Sequence, residues 1–146
     1  MAIQLFTIGF RKKSAEQFFT TLRQAGVRRL LDIRLKNVSQ LAGFTKRDDL
    51  RFFCREICHA EYSHLPECAP TAQILSEFKQ NGGAWETYVQ RFIPLLSSRR
   101  VETILTPEVL DCGCLLCSEP TPEQCHRRLV AEYMQERVSS LTVTHL

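Results

Sequence analysis

Short apolar runs alternate along the chain with stretches in which apolar residues recur three and four positions apart. The runs predict buried strands and the wider spacing predicts amphipathic helices. Predicted strands cover 3–8, 30–33, 62–65, 112–117 and 142–146. Predicted helices begin at Ser14, Thr45, Thr71, Trp85, Val101 and Thr121, and Pro94 should end or kink the fourth. A loop is expected over 35–44 and a helix break at 82–83.

This alternation of strands and helices predicts an α/β fold. We expect a single three-layer domain over residues 1–146, with a mostly parallel sheet of about five strands flanked by helices. Crossover connections should be right-handed. The order of the strands in the sheet is not readable from the chain.

Two of the predicted helices have specific start signals. Ser14 and Gln17 have the spacing of a capping box, and Gly26 suits the end of the same helix. Thr121 and Pro122 predict another N-terminus, with the threonine as N-cap and the proline at the first helical position.

Composition and charge narrow the class of protein. The chain has 146 residues, of which 44% are hydrophobic and 24% charged, enough for one packed core. Its formal net charge of +3 is far below that of a dedicated nucleic-acid coat. No apolar run approaches the ~18 residues of a membrane span, and no signal-peptide pattern is present. We therefore expect a cytoplasmic protein with no membrane partner, and its oligomeric state stays open.

Seven cysteines are the unusual feature of the composition. An odd number excludes complete internal pairing, and reduced thiols are expected. Cys114 and Cys117 form a C-x-x-C pattern, but along a strand their Cα atoms would lie roughly 10 Å apart, beyond the ~7 Å limit for a disulfide. Burial is the default interpretation for Cys54, Cys58, Cys68, Cys112 and Cys114.

Polar residues gather where the predicted strands end, which is the edge at which parallel sheets bind ligands. The motifs at these positions are Thr7-Ile8-Gly9, Asp32-Ile33-Arg34, Tyr62-Ser63-His64-Leu65-Pro66-Glu67, Leu115-Leu116-Cys117-Ser118-Glu119 and, at a helix start, Cys125-His126-Arg127. Their combination resembles the DUF488 family over nearly the whole chain, down to the closing Thr144-His145-Leu146. The most specific part is Leu-Leu-Cys-x-Glu followed by Cys-His-Arg. The family has no established reaction, so the resemblance implies a fold and a site but no activity.

Cys117 and Cys125 differ from the other thiols in their neighbours. Cys125 should lie in the first turns of a helix, where the helix dipole and the adjacent His126 and Arg127 favour a thiolate. Three interpretations stay open: a reactive or redox pair, a metal site that uses both thiols and a histidine, and two buried thiols that frame a tight turn. Stable zinc binding would need four ligands, with His64 or His126 as candidates.

Arg34 and Arg127 are candidates for an anion clamp, because guanidinium groups bind phosphate and carboxylate with two hydrogen bonds. The alternative for Arg34 is an ion pair with Asp32 or Glu119. Thr7 and Gly9 would allow a ligand to approach the backbone closely, although glycine after a strand is common in turns.

The leading hypothesis is a small enzyme with an anionic, phosphate-bearing or nucleotide-like ligand. Its candidate catalytic residues are Cys117, Cys125, His126, Glu119 and His64, and its candidate anion-binding residues are Arg34, Arg127, Thr7 and Gly9. A first alternative is a non-catalytic nucleic-acid-binding or regulatory module that uses the basic loops. A second is a metal-binding protein in which Cys117, Cys125 and His126 hold the ion, the one cofactor under consideration.

Overall fold

The computed structural model describes residues 2–38, 43–80, 83–119 and 121–146, and the predicted loop and helix break fall partly outside these ranges. It contains a five-stranded sheet in which every described strand pair is parallel. The strands are β1 (Ile3–Gly9), β2 (Arg29–Asp32), β3 (Glu61–His64), β4 (Gly113–Cys117) and β5 (Leu141–His145). Their spatial order is β3-β2-β4-β1-β5. The predicted α/β class is confirmed.

Helices fill the connections between the strands. They are α1 (Ala15–Ala25), α2 (Arg47–Phe53), α3 (Ala72–Gln80), α4 (Trp85–Ser98), α5 (Pro107–Leu110) and α6 (His126–Gln135). Short 3₁₀ turns cover Gly43–Thr45, Pro66–Cys68 and Val101–Thr103, and a π turn over Cys54–Cys58 continues α2. No helix among the described residues is both long and apolar enough to cross a bilayer.

The two faces of the sheet are covered by separate apolar cores, which makes three layers. Successive strand residues point to opposite faces, so Leu115 packs with α3, α4 and α6 while Leu116 packs with α1 and α2. Cys54 and Cys114 are completely buried in the second core, as predicted. Cys68 is buried in the first core, whereas Cys58 is only partly buried against the second core and Cys112 is half-buried outside both, contrary to the prediction.

The local signals of α1 act as the sequence predicts. Ser14 Oγ accepts from the backbone N–H of Gln17 at 3.1 Å, and the Gln17 side chain accepts from the Ser14 N–H at 2.9 Å. Gly26 ends the helix at a φ of 76°, a left-handed conformation that costs glycine little. A cap of this kind stabilises a helix by about 1 kcal/mol.

The predicted helix start at Thr121 is wrong, because α6 begins at His126 with Cys125 as its N-cap. The hydroxyl of Thr121 is used locally by the side chain of Glu123. The N–H of Cys125 bonds to the carbonyl of Pro122 at 3.4 Å, which closes a turn there. Contacts of the residues at the start of α6 with the sheet therefore decide where the helix begins.

Thr45 does not cap α2, contrary to the prediction. The N-cap position is Lys46, which makes no side-chain capping bond. Thr45 instead lies completely buried at the end of a 3₁₀ turn, where its carbonyl accepts from Nη2 of Arg34 at 2.7 Å. Thr45 therefore makes a tertiary contact with Arg34 in place of the helix cap that the local pattern predicts.

Other boundaries also differ from the sequence expectations. Helix α4 runs through Pro94 to Ser98, and buried apolar side chains lie on both sides of the proline. The helix expected over 101–105 is a single 3₁₀ turn, and α5, which was not predicted, follows it. Strand β4 begins one residue later than predicted because Cys112 has a φ of 59°.

Candidate functional site

A cleft of about 640 Å³ lies beside the carboxyl ends of β2 and β4. The chain leaves these neighbouring strands on opposite faces of the sheet, toward α2 after β2 and toward α6 after β4. Such a divergence opens a crevice at which α/β sheets bind ligands. The volume lies in the range of ~300–1,000 Å³ that is typical of ligand pockets.

Basic side chains outnumber acidic ones in the wall of this cleft. Arg11, Arg34, Lys36 and Lys79 line it, and Glu119 is the acidic lining residue among the described part of the chain. Arg11 and Glu119 form an exposed ion pair at 3.3 Å. The remaining cations give the cleft a positive charge, which favours an anionic ligand.

Cys117 and Cys125 meet at the cleft, and both line it. Their sulfurs are at bonding distance, 2.06 Å, and their Cα atoms are 7.5 Å apart. Cys117 is the last residue of β4, and Cys125 precedes the first turn of α6. The predicted approach of these two thiols is confirmed, and Cys114 of the C-x-x-C pattern is free and on the opposite face.

The thiols in the two cores are poor nucleophiles. Burial raises the pKa of Cys54 and that of Cys68 to about 12. Burial also raises the pKa of Cys114 and that of Cys58. Burial therefore disfavours the thiolate form of these four cysteines.

Arg127 is completely buried directly behind Cys117. Its Nη1 donates to the Cys117 sulfur at 3.2 Å and to the Glu119 carbonyl at 2.7 Å, and its Nε donates to Thr7 Oγ1 at 3.2 Å. No carboxylate of the described residues forms an ion pair with it, and its Nη2 has no hydrogen-bond partner there. Burial lowers the pKa of Arg127, but a guanidinium stays protonated in proteins. Among the described residues, Glu119 and Glu123 attract this buried cation, but neither carboxylate is in direct contact with it.

Thr7 links Arg127 to the edge strand β5. Its Oγ1 lies 2.6 Å from Nδ1 of His145, and the parallel register of β1 and β5 pairs these two residues. Because arginine has no acceptor, Thr7 accepts from Arg127 and its own hydroxyl proton can be donated to His145. Partial burial, and then the charge of Arg127, lower the pKa of His145. Thr7 thus holds Arg127 in place and does not line the cleft.

Gly9 allows β1 and the loop after β4 to approach closely. A Cβ atom at this position would lie 1.5 Å from the carbonyl oxygen of Glu119 and 2.9 Å from Nη1 of Arg127. The same carbonyl is an acceptor of Arg127. The geometry therefore gives Gly9 a role in packing the arginine.

The side chain of His126 is held by a hydrogen bond to the backbone of Ile33, the residue that follows β2. Its Nε2 lies 2.6 Å from the carbonyl oxygen of Ile33, so Nε2 carries the proton and Nδ1 keeps its lone pair. Phe92 packs edge-on against the ring with centroids 5.8 Å apart. Burial lowers the pKa of His126 to about 4, so the imidazole is neutral at pH 7.

Sequence comparison assigns the chain to a family. A family model described as a domain of unknown function, DUF488, matches residues 14–134. The chain belongs to the DUF488 family. No curated protein and no solved structure matches it. The signature positions at the end of β4 and the start of α6 lie inside the matched range of this DUF488 protein, whereas Thr7, Gly9 and His145 lie outside it.

Arg34 in this DUF488 protein forms the ion pair that was the alternative to an anion clamp. Its Nε and Nη2 donate to the two oxygens of Asp32 at 2.8 Å each, and Tyr62 donates to Asp32 at 2.5 Å. Burial and the neighbouring Asp32 raise the pKa of Tyr62. Nη1 of Arg34 is buried without a partner among the described residues, and Arg34 lines the cleft.

His64 lies behind Arg34 and does not line the cleft. Its Nε2 bonds to the Arg34 carbonyl at 2.8 Å, which supports the loop after β2. The structure thus brings together Cys117, Cys125, His126 and Arg127, with Arg34 in the cleft wall and Glu119 at its rim. Sequence reasoning missed His145, since only the β1–β5 register places it beside Thr7.

Proposed function

We propose that this DUF488 protein is an enzyme that uses Cys117 as a thiolate nucleophile on an anionic, phosphate-bearing or nucleotide-like substrate. The observation that carries the proposal is the contact of 3.2 Å between Nη1 of Arg127 and the sulfur of Cys117. A thiolate at Cys117 would complete an ion pair with a cation that has no carboxylate partner among the described residues. A neighbouring arginine is a known cause of cysteine reactivity.

The burial of this contact adds to its effect. Cys117 is 1% exposed and Arg127 is completely buried, so little water screens their interaction. Hydrogen bonds to a charged group contribute about 1.5–3 kcal/mol, more than those between neutral groups. Burial by itself disfavours any thiolate, and the hydrogen bond from Arg127 is the contact that would offset this cost at Cys117 once the pair with Cys125 is reduced.

Reduction prepares the nucleophile. Two electrons from a cellular thiol reductant open the sulfur–sulfur bond, and the reductant becomes a disulfide while Cys117 and Cys125 become free thiols. Because burial lowers the pKa of His126, its neutral imidazole is a weak base, and the proton that Cys117 releases passes to solvent through the cleft. When a peroxide oxidises Cys117 to a sulfenic acid, the thiol of Cys125 can attack that sulfur and release water, which re-forms the disulfide and protects Cys117 from irreversible oxidation.

The cleft supplies the binding energy for an anion. Nη1 of Arg34 is a buried donor that lacks a partner among the described residues, and such a group costs about 1–3 kcal/mol until it is satisfied. A phosphate oxygen at this donor would remove the cost, and Lys36 and Lys79 in the cleft wall would add attraction. The charge of the cleft therefore supports a phosphate-bearing substrate.

Alkylation of the reduced protein tests the proposal. At pH 7, iodoacetamide should label Cys117 faster than Cys112, a half-buried thiol outside the cleft that serves as the internal control. Adenosine monophosphate should slow labelling of Cys117 and leave Cys112 unaffected. Arg34→Lys, which keeps a cation beside Asp32 but lacks the Nη1 donor, should weaken this protection without slowing the labelling itself. Labelling of Cys117 no faster than that of Cys112 would contradict the proposal.

A further inference from the structure

We infer that the reduced site also binds a zinc-like divalent cation through Cys117, Cys125 and His126. Their ligand atoms, the two sulfurs and one imidazole nitrogen, all lie within 4.8 Å of one another. This inference goes beyond the proposed function, since it requires only that the thiols be reduced. It also implies a regulation of the same site, because a bound ion would withdraw Cys117 from chemistry.

The distances suit a tetrahedral ion. Zinc takes sulfur at about 2.3 Å and imidazole nitrogen at about 2.0–2.1 Å, so neighbouring ligand atoms stand roughly 3.5–3.8 Å apart. The Cα atoms of Cys117 and Cys125 are 7.5 Å apart, longer than the ~4.4–6.8 Å that is usual for disulfides. The backbone therefore leaves room for the two reduced sulfurs to separate around an ion.

The groups around these ligands are those that support metal binding. Histidine ligands commonly donate their second ring N–H to a backbone carbonyl, and His126 does so to Ile33 at 2.6 Å. This bond leaves the lone pair of Nδ1 for the ion. Arg127 donates to the sulfur of Cys117, which stabilises a ligating thiolate. These two hydrogen bonds are separate observations from the clustering of the three ligand atoms, so they support the site in addition to it.

The donor set selects the class of ion. Two thiolates and one imidazole favour zinc and its analogues cobalt and cadmium over magnesium or calcium, which prefer oxygen. The cluster contains three candidate ligands within the described chain. A three-ligand zinc site keeps a fourth position for water or substrate. All three residues line the cleft, so an anion from the cleft can take that position.

Binding and oxidation exclude one another. When the ion binds, the two thiols release two protons and both sulfurs become ligands. When the pair is oxidised, two electrons pass to a disulfide or peroxide acceptor, the sulfur–sulfur bond forms and the ion is released. The redox state of Cys117 and Cys125 thereby controls whether the site holds a cation.

Cobalt absorption measures this binding directly. We expect the reduced protein to bind one Co²⁺ per chain, with thiolate-to-cobalt charge-transfer bands and the d–d bands of tetrahedral geometry, and zinc to displace it. Cys117→Ser and Cys125→Ser should abolish the charge-transfer signal of a two-thiolate site. His126→Asn should weaken affinity by at least ~10-fold, and the matched control Cys112→Ser should bind as the wild type does.

Circular dichroism of each variant separates loss of binding from loss of folding. A reduced, folded wild-type protein without thiolate-to-cobalt absorption would overturn the inference, as would unchanged binding by both cysteine variants. The two proposals fail separately. Slow alkylation of metal-free Cys117 would contradict the enzyme while leaving the cobalt spectrum intact, and absent cobalt binding would leave fast alkylation intact.

Discussion

The guanidinium of Arg127 lies 3.2 Å from the sulfur of Cys117 at the base of the cleft. Its other acceptors are a neutral hydroxyl on Thr7 and the backbone carbonyl of Glu119. A buried cation surrounded by neutral acceptors lacks the compensation that an ion pair provides. The formation of a thiolate would supply it, so under the proposed function the reactivity of Cys117 should depend on Arg127.

Replacing Arg127 should therefore slow the chemistry of Cys117. In reduced Arg127→Met protein, we expect the iodoacetamide labelling rate of Cys117 at pH 7 to fall about 10- to 100-fold, the equivalent of a charged hydrogen bond of ~1.5–3 kcal/mol. Arg128→Met is the matched control, because Arg128 pairs with Glu132 and not with the thiols. Unfolding would accelerate the labelling of every cysteine, so a decrease confined to Cys117 identifies the electrostatic effect. Equal rates in Arg127→Met and wild type would refute the dependence.

Removal of one partner from the buried pair of Asp32 and Arg34 should destabilise the fold strongly. Asp32→Asn leaves the Arg34 charge buried with a neutral neighbour, and such changes cost about 3–5 kcal/mol. Tyr62→Phe removes one hydrogen bond to the same carboxylate and should cost about 1 kcal/mol. Urea unfolding followed by circular dichroism measures both. Similar losses in the two variants would show that the ion pair is not the dominant interaction.

A methyl group at Gly9 should disturb the site. Gly9→Ala places a Cβ 1.5 Å from the Glu119 carbonyl, so the loop after β4 must move and the fold should lose about 1–3 kcal/mol or more. Gly43→Ala is the control, because a Cβ there meets no atom within 4 Å. Thermal unfolding compares the two variants. If both melt like the wild type, the close approach of β1 and this loop does not contribute to stability.

His145 should make stability depend on pH below neutrality. Its pKa in the folded protein is lowered, by partial burial first and then by Arg127, whereas the unfolded chain takes up the proton near pH 6.5. The neutral ring is therefore preferred in the folded state, and its contribution is full above pH ~6.5 and declines as the pH falls toward the lower folded value. Arg128 also opposes protonation, while Glu123 and Glu132 favour it.

The variant His145→Gln isolates this contribution. We expect the unfolding free energy of the wild type to fall more steeply between pH 7.5 and pH 5 than that of the variant, as measured by urea titration. His126 titrates in both proteins and cancels in the difference. Parallel curves for the two proteins would mean that His145 does not contribute.

The sequence predicts the ends of a helix correctly where those ends depend on residues close by in the chain. The capping box of Ser14 and Gln17 and the stop at Gly26 act within a few residues, so the ends of α1 follow from the chain alone. The approach of Cys117 and Cys125 was also foreseeable, since both sit at the ends of consecutive elements. The start of α6 was not, because contacts with β1, β2 and β4 outweigh the local helix signal at Thr121.

Residue types and their spacing thus specified an α/β chain with reactive side chains at its strand ends. They did not distinguish an ion pair from an anion clamp at Arg34, and they left His145 without a role. Burial of Arg34 against Asp32 decided the first point, and the strand order β3-β2-β4-β1-β5 decided the second, since it paired β1 with β5. Thr7 and His145 are 138 positions apart, and only the packing of the whole sheet, through hydrogen bonds between distant strands, brings such residues into contact.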